Sequence, residues 1–150
     1  MRLEDEIKQT TFQSEAQKAQ LNIMFTASWM GQQQQAAFRP LGLTPPQFNV
    51  LRILRGQHPK PATVALLIDR MLDKTSNASR IVDKLEEKQL VTRQVCPANR
   101  RAVDIRITED GLALLRRVDE QDLLFQAPGT RQMTDDELRT LNELLDKLRA

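Results

Sequence analysis

Between Thr75 and Lys88 the chain reads TSNASRIVDKLEEK, with the apolar residues Ala78, Ile81, Val82 and Leu85 at helical spacing. They form one stripe that must pack inward. At about 100° per residue, Ser76, Arg80, Asp83 and Glu87 point away from that stripe, with Asn77, Ser79 and Lys84 on its flanks. The outward face therefore begins with short hydroxyl and amide side chains. These are mediocre helix formers, and a plainly solvated helix would carry long charged residues there. Capping alone accounts for two or three of them, with Asp73 or Thr75 as N-cap. The alternative is a helix that enters the DNA major groove, where Asn pairs with adenine, Arg with guanine, and Ser or Thr with several base edges.

The pattern on either side bears on that choice. Residues Leu3 to Phe38 contain no proline and one glycine, and predict one long helix or two abutting ones with a broad stripe from Ile7 to Ala36. Such a helix has too little of its own chain to pack against, which predicts a partner subunit. Thr44, followed by Pro45, opens a helix to about Gly56 whose buried side is Phe48, Leu51, Ile53 and Leu54. A short helix follows from about Thr63 to Met71, then the turn Leu72-Asp73-Lys74 and the polar-faced helix. Two short helices so joined have the outline of a helix-turn-helix.

Val91–Cys96 and Ala102–Thr108 alternate as two strands, with Val91, Val95, Val103, Ile105 and Ile107 facing one way. The turn between them carries Arg100 and Arg101, placed to enter a minor groove or hold a phosphate. Thr108-Glu109-Asp110-Gly111 caps a helix to about Gln126, with Leu112, Leu115, Val118, Leu123 and Leu124 inward; Ala127-Pro128-Gly129-Thr130 breaks it. Thr134 to Glu137 is a capping box for a last helix with a leucine seam at 138, 141, 144, 145 and 148. With the first helix, that seam makes an all-helical dimerisation layer.

Composition narrows the classes. The 150 residues, 40% hydrophobic and 28% charged, suit one folded domain. No run of 18 apolar residues and no signal-peptide pattern occur, so a cytoplasmic protein is expected. Net charge is only +2, but residues 44–110 hold 12 Lys/Arg against 8 Asp/Glu, which concentrates positive charge around the candidate reading helix. One His and one Cys furnish no zinc site, and no cofactor is expected. His58 has no pattern-linked Ser or Cys nucleophile and there is no phosphate-cradling glycine loop, so an enzyme is not expected.

The order helix, helix-turn-helix, arginine-tipped hairpin, long helix and terminal helix resembles the MarR family of winged-helix transcription regulators. LTPPQFNVLRIL is similar to that family's second helix, DKTSNASRIVDKLEEKQLV to its recognition helix, and NRRAVDIRITEDGLALL to its wing and following helix. The resemblance implies a mainly α fold with a small β-hairpin wing, in a single domain 1–150. Residues 41–110 would be the winged helix-turn-helix part, and 1–40 with 111–150 the dimerisation layer. It implies a homodimer on an operator inverted repeat of double-stranded DNA, with repression as the expected outcome. Candidate DNA contacts are Thr63, Thr75, Ser76, Asn77, Ser79, Arg80, Lys84, Arg100 and Arg101.

Family members commonly answer to small aromatic or lipophilic anions. Phe25, Trp29, Met30 and Phe48 are the candidate lining here, set against an ordinary core placement. Cys96, in the wing, is either a small strand residue or a redox site whose thiolate Arg93 would favour. Two positions depart from the family pattern: Gln89 where glycine is common, and Asn99 where an acid usually precedes the wing arginines. The competing function is a winged-helix module that binds a protein partner without sequence-specific DNA binding.

Overall fold

The computed structural model describes residues 1–97, 99–121 and 130–150; for Arg100 and Arg101 it describes the backbone alone. It has seven α-helices and one hairpin within those residues: α1 Leu3–Glu6, α2 Glu15–Phe38, α3 Pro45–Gln57, α4 Val64–Arg70, α5 Ala78–Glu87, β1 Val91–Cys96, β2 Asn99–Ile107, α6 Glu109–Glu120 and α7 Asp135–Arg149. The fold is mainly α with a two-stranded antiparallel wing, as the pattern predicted.

The N-terminal stretch is not one helix. It breaks over 7–14, where Lys8 takes a left-handed φ of 54° and Ser14 restarts the helix by accepting the Gln17 N–H at 3.1 Å. In the short α1 Leu3 is buried, and a 2.6 Å ion pair from Lys18 to Glu4 ties α1 to α2. That hydrogen bond from Lys18 holds the Glu4 carboxyl down from 4.5 to about 2. Helix α2 runs through a 3-10 turn, Arg39–Leu41, to Gly42, whose φ of 66° turns the chain into α3.

The core lies between α3, α4, α5, the strands and α6, with Phe38, Val50, Leu51, Leu54, Leu67, Val82, Leu85, Val91, Ile105, Leu115 and Val118 all buried. Ile53, expected inside, is only half-buried; Val50 takes the inward place. Phe38 stacks on Phe48 with ring centroids 4.7 Å apart.

Thr44 caps α3 in a reciprocal box with Gln47. Ala62 pairs with Ile105 by two backbone hydrogen bonds of 2.8 and 2.9 Å, so the segment entering α4 is pinned to the wing.

In the hairpin Val91 faces Ile107, Arg93 faces Ile105 and Val95 faces Val103, with a bulge at Val95/Cys96. Val95 alternates with Val91 and Arg93 but is exposed, against expectation.

Gly111 packs so tightly under Leu90 and Ile107 that a Cβ there would sit 2.5 Å from the Leu90 carbonyl oxygen. Helix α6 is described to Glu120; its expected continuation with Leu123 and Leu124, and the break at 127–129, lie outside the described residues. Helix α7 opens with the expected Thr134–Glu137 box, and its Leu141, Leu144 and Leu148 are exposed in the single chain.

Candidate nucleic-acid interface

The polar-faced helix begins later than its pattern predicts. Asp73 holds residues 73–76 in a turn, its carboxylate accepting the Thr75 N–H at 2.9 Å, the Thr75 hydroxyl at 2.6 Å and the Ser76 hydroxyl at 2.9 Å. Such local bonds compete with helix formation. The Thr75 hydroxyl, the first cause, and the other two donors lower the Asp73 pKa.

Neither Asp73 nor Thr75 is the N-cap. Asn77 is, its side-chain oxygen accepting the Arg80 N–H at 3.1 Å, so α5 starts at Ala78. Thr75, Ser76 and Asn77 therefore sit in the connecting turn, and only Ser79, Arg80 and Lys84 lie on the helix itself. The Asn77 oxygen is committed to the backbone, which leaves its NH2 for other partners.

Ala78, Val82 and Leu85 face inward as expected, and Ile81 is half-buried. On the exposed side run two stripes: Arg80, Lys84 and Glu87, and beside them Ser79, Asp83 and Glu86. Lys84 gives its ammonium to Glu87 at 2.8 Å, so it is not a free cation. Arg80 is exposed and, among the described residues, makes no side-chain bond. Thr63, counted as a candidate contact, caps α4 by accepting the Leu66 N–H at 3.2 Å.

Three anchors fix the pose of α5. Asn49 accepts the Leu72 N–H at 2.9 Å, holding the turn to α3. Lys88, at the other end, donates to the Gly42 carbonyl and to Gln47 Oε1, the latter at 2.9 Å. Arg93 reaches from β1 to Asp83 and to Glu86, with Nε 3.2 Å from Glu86 Oε2. Arg93 was expected near Cys96. It turns instead to α5, because alternation puts it on the face of buried Val91, while Cys96 stays partly exposed at the bulge.

An open cleft of about 310 Å³ lies between Thr44, Pro46 and Gln47 of the α3 start and Ser76, Asn77, Arg80, Ile81 and Lys84. It is not the cavity that Phe25, Trp29, Met30 and Phe48 would line. Phe48 is buried against Phe38, which makes it core; Phe25 and Trp29 are half-buried on α2 and Met30 is exposed. The structure places Arg100 and Arg101 at the start of β2, next to the wing turn. Among the described residues no helix is long and apolar enough to cross a membrane and no group of metal-ligating side chains occurs.

A short helix, a turn pinned to its neighbour, an exposed second helix and a hairpin braced against it define a winged helix-turn-helix protein. The family model of the MarR family matches residues 41–102. The chain is 35% identical over 102 residues to the HTH-type transcriptional regulator YpoP of Bacillus subtilis, covering 68% of this chain and 71% of YpoP. To MhqR of the same organism, also an HTH-type transcriptional regulator, it is 35% identical over 77 residues, 51% of this chain and about half (52%) of MhqR. Among solved structures, a MarR transcription factor from Planctomyces limnophilus superposes with a TM-score of 0.70 at 30% identity, over 91% of this chain and 98% of that one. A mutant E. coli MarR complexed with operator DNA gives 0.77 at 25% identity, over 93% and 99%. The chain belongs to the MarR family of transcription regulators.

Proposed function

We propose that this chain is a homodimeric repressor that reads an inverted repeat in double-stranded DNA and is released by a small aromatic or lipophilic ligand. The observation that carries the DNA reading is the exposed N-terminal half of α5, with exposed Ser79 and Arg80 following the Asn77 amide, on a helix that the wing strand β1 meets at Asp83 and Glu86. Arg80 and the Asn77 NH2 are groups that address base edges; Arg100 and Arg101 at the wing supply phosphate or minor-groove contacts. The relative complexed with operator DNA supports the same use of the fold.

The dimer reading rests on the uncovered apolar faces of α2 and α7. Met24, Met30, Leu141, Leu144 and Leu148 are exposed in one chain, and a second copy would bury them. Residues 1–40 and 111–150 then form the dimer layer, and 41–110 the DNA-binding part. Two reading helices about a two-fold axis address half-sites roughly 10 bp apart. A ligand releases DNA by favouring a dimer geometry that no longer matches this spacing, by no more than its differential affinity for the two geometries.

The test is selection of bound duplexes from a random library by the purified protein at two salt concentrations. Enrichment of an inverted repeat, with affinity falling steeply as salt rises, is the expected result. A folded dimer that enriches no duplex overturns the reading in favour of a protein-interaction module.

A further inference from the structure

We propose that Arg93 is a positioning residue for DNA binding. It braces the wing against the reading helix and cancels two carboxylates, Asp83 and Glu86, that the helix would otherwise turn toward the phosphates. This rests on the DNA-binding reading above.

The charge on α5 makes the need for it. The helix carries two cations, Arg80 and Lys84, against three carboxylates, Asp83, Glu86 and Glu87, so a helix offered to a polyanion is itself net negative. Lys84 is spent on Glu87. Asp83 and Glu86 stand one and two turns along from Ser79 on one stripe, so they continue the surface that holds the candidate reader. Among the described residues Arg93 is the cation paired with both.

Its placement is built into the strand. A charged residue at the Val91 register faces inward, and the helix edge supplies the two acids that make this tolerable. The Arg93 side chain is 31% exposed, and its Nη2 meets Asp83. Its buried Nε, which makes no hydrogen bond among the described residues, stands 3.2 Å from Glu86 Oε2, so one guanidinium faces both carboxylates. Asp83 and Glu86 are themselves about half exposed. Such a pair adds little to folding, so the contribution appears when DNA arrives. Unpaired carboxylates then face phosphates at short range, a like-charge juxtaposition that weakens docking.

The test compares wild type, Arg93→Gln, Arg93→Lys and the triple variant Arg93→Gln/Asp83→Asn/Glu86→Gln on the duplex enriched by wild type, with melting curves for each. Arg93→Gln is expected to lower affinity about tenfold at low salt, with the deficit shrinking as salt screens it, while Tm moves by only a few degrees. Arg93→Lys falls between. The triple variant is expected to return to within about threefold of wild type, because the acids it would have cancelled are gone.

Wild-type affinity in Arg93→Gln overturns the proposal. So does a triple variant as weak as Arg93→Gln, which would mean that Arg93 itself holds a phosphate or that an acid accepts from a cytosine. A wild type that enriches no duplex overturns the DNA reading first, and this inference with it.

Discussion

Replacing Gln89 by glycine is expected to stabilise the protein, although glycine ordinarily weakens a fold. Gln89 follows α5 with a φ of 60°, in the left-handed region. Its N–H donates to Glu86 O at 2.8 Å and the Leu90 N–H to Leu85 O at 2.9 Å, the two bonds of a Schellman motif. Here the left-handed residue carries a Cβ, which costs about 1–2 kcal/mol against the following carbonyl.

The side chain gives nothing back. It is exposed, and the one further bond at this residue, from the Thr108 hydroxyl at 2.8 Å, goes to the Gln89 carbonyl and survives substitution. Part of the relief is offset by the greater freedom of glycine in the unfolded chain, leaving about 1 kcal/mol. For a chain of this length that is a rise in Tm of about 2–4 °C. Thermal and urea melts of Gln89→Gly, Gln89→Ala and Gln89→Val check it, with Ala near wild type and Val below it. A Gly variant no more stable than Ala would show that the left-handed strain is absent and that the motif ends α5 for another reason.

Gly111→Ala is expected to destabilise by about 1–3 kcal/mol, because its Cβ would lie 2.5 Å from Leu90 O and 2.7 Å from Ile107 Cγ1; a melt unchanged from wild type would remove the close-packing argument. Asn77→Ala is expected to lose about 1 kcal/mol of stability as the cap of α5, while Asn77→Ser keeps the cap but not the amide. If Asn77→Ser retains both stability and the wild-type base preference in the duplex selection, Asn77 caps and does not read. Glu4, with its carboxyl depressed to about 2, contributes stability that is fully present above 4.5 and is lost as pH falls toward 2. Undocking of α1 followed by NMR between those limits is expected in wild type and expected to vanish in Lys18→Gln.

The elements that could be read from the sequence are those whose ends are chemically marked and whose faces are packed within one chain. Thr44, Thr108 and Thr134 each cap the helix they were expected to open, because a hydroxyl before a helical stripe has one dominant local use. The inward residues of α5 followed from spacing for the same reason. The start of α5 did not, because a row of polar residues can be helix face or turn, and Asp73 decides it by gathering Thr75 and Ser76. Nor did the break at 7–14, where neither Gly nor Pro marks the chain. Arg93 escaped for a different reason. Alternation puts it on the buried side of β1, but only the docked position of α5 supplies the acids that receive it.

The pose of α5 is set both by its packed face, Ala78, Val82 and Leu85, and by polar anchors to its neighbours. At its start the turn is tied to α3 through Asn49; at its end Lys88 holds the Gly42 carbonyl, where the chain leaves α2 for α3. Lys88 also takes Gln47 Oε1, the same oxygen that completes the α3 capping box by accepting the Thr44 N–H. One lysine and one glutamine therefore link the end of α2 to α5, beside the core contact that Phe38 makes with Phe48. Gly42 is the left-handed residue at which the chain turns from α2 and its 3-10 extension into α3. Lys88→Met, which keeps the stem and removes the ammonium, is expected to leave melting within about 1 kcal/mol of wild type while broadening the half-site spacings recovered in selection. An unchanged spacing preference would assign the pose of α5 to its packed face alone.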